Sequence, residues 1–257
     1  MNYVCSDIHG QYDYFLDILE KINFSDEDHM YILGDVIDRG PDSIKLLQFI
    51  FDNDNMTLLI GNHEHLMIQS ILYDDYEQYN IWMNNKGETT LEQFESLDEN
   101  EQKNILIDLF QSPLIIPTLK INSKYFYLTH ASHLLRKIDE PLLYCNANRD
   151  EIETAVWSRD YQNIDTNMLS GRFANLYSEH KNTTMIIGHS PVFTCSYRRL
   201  TSSGRPLISR SCSGHLINID CGCARGLPLG CLRLEDMKEF YADIPKGMKI
   251  IMKPKRL

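Results

Sequence analysis

Positive charge is scarce in this chain. Its 25 lysines and arginines stand against 36 aspartates and glutamates, a formal net charge of −11 over 257 residues. Nucleic acid and anionic membranes call for clustered Lys and Arg, so neither is expected as a partner. The locally basic end, "KGMKIIMKPKRL", reads as a solvated tail. Long apolar runs are also missing, since nothing approaches the roughly 18 consecutive apolar residues of a membrane span. The opening "MNYVCSDIHG" has neither the basic segment nor the apolar core of a signal peptide, and it reads as a strand that begins almost at once. Among 7 cysteines, five of them between Cys195 and Cys231, no C-x-x-C pair occurs. That excludes a zinc finger or disulfide framework and leaves mostly buried, reduced thiols, as in the cytoplasm. Repeats, low-complexity segments and linker-like stretches are absent. One domain over residues 1–257, acting as a monomer, is expected.

What the chain does contain is a recurring unit: a short apolar, β-branched run ending on a polar or metal-liganding residue. The runs are "NYVCSD", "MYILGD", "MTLLIGNHE", "KYFYLTH", "TMIIGHS" and "HLINIDCG". Runs of this length bounded by Gly or Asn fit buried strands, and in α/β folds such strand ends form binding crevices. Between them lie helical patterns. "YDYFLDILEKI" puts Tyr14, Phe15, Ile18, Leu19 and Ile22 on one face, and "PDSIKLLQFIF" places Pro41 in a first-turn position. A longer helical region from about His65 to Leu109 reads as an insertion over the core that supplies none of the chemistry.

The chemistry is expected at the strand ends. In "SDIHG", Asp7 and His9 are two apart, and strand alternation sends both to one side, a natural half of a metal site. "GDVIDRG" adds Asp35, whose carboxylate can offer one oxygen to each of two cations about 4 Å apart. It adds Asp38 three residues on, and Gly34 and Gly40 let the backbone approach the ions. Asp42 reads as a helix cap. In "GNHE", Asn62 is a neutral oxygen ligand. His63, next door, should project towards substrate, where its imidazole can protonate a leaving alkoxide while Asp38 holds it in place and raises its pKa. His130 in "LTHAS" and His189 in "GHSP" end two further apolar runs. His29, His65, His133 and His180 lie off these motifs and are read as surface or helix residues.

Together, Asp7-x-His9-Gly10, Gly34-Asp35-x-x-Asp38-Arg39-Gly40, Gly61-Asn62-His63-Glu64, His130 and Gly188-His189-Ser190-Pro191 resemble the full signature of the phosphoprotein phosphatase family. The likeness runs from residue 3 to about 235 and is nearest to the compact bacterial and phage members of lambda-phosphatase type. It implies a calcineurin-like metallophosphatase fold, two mixed β-sheets forming a sandwich flanked by helices, with two divalent metal ions at one rim. It assigns Asp7, His9 and Asp35 to the first metal, and Asp35, Asn62, His130 and His189 to the second. Asp38 and His63 become the acid pair and Arg39 grips phosphoryl oxygens. Arg159, in "VWSRD", becomes a second phosphate-binding arginine. Two stretches depart from the family pattern, "NNKG" in the helical region and "DCGCARG" late in the chain. Both border the substrate cleft in the family, so they bear on specificity.

The implied activity is in-line hydrolysis of a phosphate monoester by a hydroxide bound to both metals. The substrate would be a phosphoserine or phosphothreonine protein or peptide, with phosphotyrosine a further candidate. Oxygen and imidazole ligands without thiolate suit manganese first, then iron or zinc. The rival enzyme is a dinucleoside polyphosphate hydrolase with the same metal site, against which Asp38 leans because that branch often lacks it. A non-catalytic phosphate-binding protein is the alternative from another class.

Overall fold

The computed structural model describes residues 1–163, 173, 175–177, 183–211 and 214–242. The basic tail, His180 and Cys212 lie outside them. All six apolar runs form strands, and the helical patterns form helices. In chain order the first sheet takes β1 (Asn2–Cys5), β2 (His29–Ile32) and β3 (Met56–Leu58), separated by α1 (Tyr12–Ile22) and α2 (Ser43–Phe51). A helical layer follows: α3 (Asn62–Leu72), α4 (Tyr76–Asn84), α5 (Glu88–Glu95) and α6 (Glu99–Gln111). The second sheet takes β4 (Pro113–Ile121), β5 (Lys124–Thr129), the short β6 (Leu142–Leu143) and, after α7 (Arg149–Trp157) and α8 (Asp160–Asn163), β7 (Thr183–Ile187). The short strands β8 (Arg199–Leu200), β9 (Pro206–Leu207) and β10 (Ser209–Arg210) precede β11 (Leu216–Asn218). The chain then returns to the first sheet with β12 (Gly230–Arg233) and β13 (Glu239–Tyr241).

The sheets run β13-β12-β1-β2-β3 and β10-β11-β7-β5-β4-β6. Each is mixed. β1, β2 and β3 are parallel neighbours in one, and β5, β7 and β11 are parallel neighbours in the other, with antiparallel strands outside them. This is the calcineurin-like metallophosphoesterase fold that the resemblance implies. Strand alternation builds two layers of core. Val4, Phe126, Leu128, Ile186, Ile217 and Leu232 point into a cluster shared by both sheets. Their neighbours Tyr3, Cys5, Tyr127, Met185 and Ile187 point the other way into the cluster that includes the helices. On α1 that outer cluster takes Tyr14, Phe15, Ile18 and Ile22, with Leu19 packed at its border. Both faces of the strands are therefore buried, which is why their sequences read as continuous apolar runs.

Several expectations need correction. Pro41 precedes α2 and is not in its first turn; Asp42 holds the N-cap position, but its side chain makes no capping hydrogen bond. His65 lies on a helix, α3, one of its two expected settings, whereas His133 is neither on a helix nor at the surface. Both are buried, each with Nδ1 2.7 Å from a tyrosine hydroxyl, of Tyr144 and Tyr161 respectively. The helical layer begins at Asn62 rather than His65, because α3 starts on the "GNHE" motif itself. β4 was not anticipated: Pro117 interrupts its pattern, and the pairing with β5 shifts register between Ile116 and Leu119. Six described cysteines are free, five of them buried. No helix among the described residues is long and apolar enough to cross a membrane.

Candidate metal centre

The three parallel strands of each sheet end on one rim, and every candidate residue except Arg159 follows one of these ends directly. Asp7 and His9 follow β1, Asp35, Asp38 and Arg39 follow β2, and Asn62 and His63 follow β3. His130 follows β5 and His189 follows β7. The loops are stitched together by backbone hydrogen bonds: Asp7 N–H to Gly34 O, His9 N–H to Asp35 O, Gly10 N–H to Val36 O and Gly188 N–H to His130 O, at 2.6–3.0 Å. They come so close that a Cβ at Gly34 would sit 2.4 Å from Gly61 N, and one at Gly188 would sit 2.2 Å from Asp7 Oδ2.

Strand alternation does not place Asp7 and His9, contrary to the expectation above. β1 ends at Cys5, and both residues adopt left-handed backbone conformations, φ 54° and 52°. Asp35, Asp38, Arg39 and His189 do the same, with φ between 54° and 70°. Such conformations cost of order 1–3 kcal/mol each and gather at functional sites.

Two groups of ligand atoms converge, His9 with Asp35 and His63, and Asp35 with His130 and His189. Asp35 alone belongs to both. His9 Nε2 lies 3.6 Å and His63 Nε2 3.9 Å from Asp35 Oδ2, and His130 Nε2 lies 3.4 Å from Asp35 Oδ1. Asn62 Oδ1 is 2.8 Å from His189 Nδ1 and 3.2 Å from His130 Nε2. Asp7 departs from the expected set. Buried beside the others, it joins neither group: its Oδ2 accepts from Ser6 Oγ at 2.5 Å and from His189 N–H at 3.0 Å. His63, expected to point elsewhere, takes its place in the first group.

The donor chemistry fits divalent cations. His130 Nδ1 must donate to Leu33 O, 2.6 Å away, because a carbonyl only accepts. That leaves Nε2 a lone pair aimed at Asp35 Oδ1, Asn62 Oδ1 and His189 Nδ1, and a proton on Asp35 or on His189 relieves only some of these contacts. Acceptors facing acceptors in a buried site repel unless a cation lies between them. His9 is arranged in the same way: Nδ1 donates to Ile37 O at 2.8 Å, and Nε2 faces inward. The exposed Arg39 reaches down to supply positive charge, Nη1 2.7 Å from His9 Nε2 and Nη2 2.7 Å from His63 Nε2.

The electrostatics follow from burial. Desolvation, then the Asp7 and Glu64 carboxylates, push the Asp35 carboxyl well above its usual range. Burial raises Asp7 as well and drives His9, His63 and His189 well below the ordinary imidazole value. For His63 this runs against the expected raised pKa, because burial and the Arg39 charge dominate over Asp38. Asp38 rises to about 7, chiefly from burial. Its Oδ2 meets His63 Nδ1 at 2.5 Å and accepts from Trp82 Nε1 at 2.9 Å, while its buried Oδ1 has no partner.

Trp82 shows that the helical layer does contribute to the site. Thr90 Oγ1 accepts from Asp38 N–H at 3.0 Å and Lys86 O from Arg39 N–H at 3.3 Å, so α4 and α5 hold the Asp38–Arg39 turn. Glu64 is the other residue whose part the motif did not reveal. Its Oε2 accepts from Asp35 and Gly61 N–H, and its Oε1 from Val36 and Ile37 N–H, at 2.7–3.3 Å. Its place three residues into α3 is the available signal, since a Glu there reaches back to the free N–H groups of a helix start.

A cavity of about 210 Å³ opens over the centre, lined by His9, Arg39, Arg159, His189, Asp220 and Arg225 among others. Arg159 thus lies at the mouth beside Arg39, Nη1 3.1 Å from Ser190 Oγ, and not at the ligand groups themselves. Asp220 and Arg225 come from the divergent "DCGCARG" stretch and were not singled out.

The profile of the calcineurin-like phosphoesterase family matches residues 3–216. The symmetrical bis(5'-nucleosyl)-tetraphosphatase of Buchnera aphidicola is 42% identical over 64 residues, 24% of this chain, so the match spans only 23% of that relative. Serine/threonine-protein phosphatase 2 of Salmonella typhimurium is 28% identical over 188 residues, 73% of this chain and 78% of the relative. The asymmetrical bis(5'-nucleosyl)-tetraphosphatase PrpE of Oceanobacillus iheyensis is 25% identical over 264 residues, 93% of this chain and 90% of the relative. In fold, the structure matches a Saccharomyces cerevisiae protein serine/threonine phosphatase with a TM-score of 0.60 at 16% identity, over 98% of this chain and 82% of that one.

Two stability outcomes are expected. Glu64→Gln sets an amide N–H₂ against two buried backbone N–H groups, at about 1–3 kcal/mol for each left unpaired. In a chain of this size that lowers Tm by about 2–4 °C per kcal/mol. An unchanged melting curve would show that the carboxylate clamps nothing. Gly188→Ala drives its Cβ into Ser6 and Asp7, costing about 1–3 kcal/mol in denaturant unfolding; a neutral substitution would mean that the loops are not pressed together there.

Proposed function

The chain belongs to the calcineurin-like phosphoesterase family, and from that premise we propose that it is a metal-dependent phosphomonoesterase acting on phosphoserine and phosphothreonine in proteins or peptides, in the manner of the compact bacterial and phage phosphatases. The observation that carries this reading is the convergence of His130, Asn62, His189 and His9 on the two oxygens of Asp35, with an acid pair and a guanidinium at the edge of the same site. In this reading Asp35, Asn62, His130 and His189 would hold one cation, and Asp7, His9 and Asp35 would hold the other. Bound there, manganese, or iron or zinc, supplies charge against a phosphate dianion and an activated water.

The chain's own residues do the rest. Arg39 exchanges His9 and His63 for phosphoryl oxygens, a bidentate pairing that suits its planar fork. Arg159, at the mouth, steadies the same group. The turn after β3 holds His63 with Nδ1 bound to Asp38. Once Arg39 leaves Nε2 for the phosphate, whose negative charge opposes the burial that lowers this imidazole, Nε2 takes up a proton and delivers it to the leaving oxygen as the P–O bond breaks. Trp82 fixes the Asp38 oxygen that holds it. A serine or threonine alkoxide is a poor leaving group and needs that proton, which is why an acid pair buried this deeply favours alkyl phosphates. The free thiols suit the cytoplasm, and we take the protein as a monomer.

A second reading, hydrolysis of dinucleoside polyphosphates, draws support from the tetraphosphatase relative aligned over 93% of the chain. Turnover of diadenosine tetraphosphate beside a phosphopeptide panel separates the two.

His63→Asn should slow hydrolysis of a phosphoserine peptide by about 10²- to 10⁴-fold and that of p-nitrophenyl phosphate, whose leaving group needs little protonation, far less. Trp82→Phe should show the same bias in smaller measure, and equal losses on both substrates would remove the acid role. Asp35→Asn should abolish binding of both ions, read by elemental analysis after dialysis. A variant that retains a full complement of metal would contradict the bridging carboxylate.

A further inference from the structure

We infer that Arg225 selects phosphopeptides with an acidic side chain next to the phosphorylated residue, by pairing its guanidinium with that neighbour's carboxylate. The inference rests on the phosphoserine and phosphothreonine reading above and narrows it to acidic sequences. Positive charge in this chain is gathered in one place. Between His189 and Leu232 stand five arginines, Arg198, Arg199, Arg205, Arg210 and Arg225, with no lysine and a single acid, Asp220, although the whole protein carries −11. The same stretch supplies one wall of the cleft through Pro191, Thr194, Gly222, Ala224 and Arg225. A cleft wall rich in arginine draws acidic polypeptide towards it and disfavours basic polypeptide.

Most of these arginines are already occupied. Arg199 and Arg210 share Glu239. Arg205 donates to Ala242 O at 3.2 Å and lies 5.8 Å from the Tyr241 ring. Arg198 and Arg225, both exposed, make no ion pair and no side-chain hydrogen bond among the described residues. Of these two only Arg225 lines the cavity. It ends a one-turn segment, Cys223–Arg225, set between Gly222 (φ 90°) and Gly226 (φ 72°). A Cβ on Gly222 would lie 2.9 Å from the Phe193 ring, so the loop packs closely on that side chain. The Arg225 guanidinium sits 5.5 Å from the same ring. A cation over an aromatic face is oriented without using its N–H groups, which stay available to an anion.

The other two guanidiniums of the cavity belong to the reacting group. Arg39 reaches His9 and His63, and Arg159 is tied to Ser190 beside His189. Arg225 is left for a negative charge elsewhere on the substrate. On a peptide that charge is a neighbouring side chain's carboxylate, because the main chain is neutral, and a planar guanidinium can take its two oxygens together. Asp220, the one carboxylate among the lining residues, does not compete freely: it is buried and spends an oxygen on Gly222 N–H at 2.8 Å. The cavity, about 210 Å³, falls below the roughly 300–1,000 Å³ of ordinary ligand pockets. It suits a phosphorylated side chain and one short acidic neighbour, with the main chain outside.

The test measures kcat/KM of the manganese-loaded enzyme on two phosphoserine peptides that differ only in having aspartate or asparagine on both sides of the phosphoserine. Wild type should favour the aspartate peptide by about 10- to 100-fold, mainly through KM, on the scale of a charge-assisted pair. The preference should shrink as ionic strength rises. Arg225→Ala and Arg225→Gln should bring the ratio close to one, and Arg225→Lys, which supplies charge without the fork, should restore part of it. Arg198→Ala should leave most of it in place. A wild type that cleaves both peptides equally overturns the inference, and so does an Arg225→Ala ratio equal to that of wild type. A loss as large in Arg198→Ala also overturns it, since the preference would then reflect overall charge. If Arg225→Ala loses turnover of diadenosine tetraphosphate while the peptide ratio stays intact, the guanidinium serves an anhydride and the inference falls. A wild type that hydrolyses p-nitrophenyl phosphate and neither peptide removes the phosphopeptide reading itself, and this inference with it.

Discussion

Asp35 lies 2% exposed with Asp7 and Glu64 close enough for their charges to raise its pKa, and Asp7 and Asp35 in turn raise Asp220; this concentration of like charge governs the rest of the rim. An isolated carboxylate carried out of water costs several kcal/mol even after the protein relaxes. The chain offsets part of that locally. Glu64 takes four backbone N–H groups, Asp7 takes a hydroxyl and an N–H, and Asp35 Oδ1 accepts His63 N–H at the start of α3, where the helix dipole favours a negative charge. These partners account for some of the lone pairs but not for those of His130 and Asn62, which face each other at 3.2 Å. The donors left over fit a cation, and Arg39 lies across the edge of the set on His9.

The same constraint explains the backbone. Six site residues carry positive φ although none is glycine, and the strain persists because neighbouring loops hold one another. The β1 loop donates to the β2 loop at Asp7, His9 and Gly10, while the β7 loop donates to the end of β5 at Gly188. Left-handed residues turn their side chains abruptly off the strand axis, so short loops can aim carboxylates and imidazoles inward over the rim. An extended chain with alternating side chains would send every second one back into the sandwich. Glycines at 34 and 188 follow from the crowding that results.

This is also where the sequence was legible and where it was not. The six strands that carry the site could be read because both their faces are buried, giving unbroken apolar runs, and the site residues other than Arg159 could be read because each follows such a run. β4 was hidden by Pro117 and the slip it imposes. The reason first given for pairing Asp7 with His9 fails because it assumes extended backbone where the chain is left-handed. Trp82, Thr90 and Glu64 were invisible as site residues because their part is a hydrogen bond to another segment, a tertiary fact with no local pattern. His65 and His133 resemble surface histidines in sequence, and only their tyrosine partners show them to be buried. Arg225 left a faint trace, as an arginine in a stretch that departs from the family pattern.

The two sheets divide the site unequally. Asp7, His9, Asp35, Asp38, Arg39, Asn62 and His63 come from the β1–β2–β3 side, so they share one frame reinforced by Glu64 and the helical layer. The other sheet gives His130 and His189, then the cleft wall from β7 and β11 with Ser190, Phe193, Asp220 and Arg225. Asp35 is the one ligand that reaches both groups. Relative movement of the sheets would therefore alter the second group and the wall while leaving His63, Asp38 and Arg39 in register. On the proposed function the acid pair belongs to the first frame and the cleft wall to the second, and the shared core of Val4, Leu128 and Ile186 is what keeps the two aligned.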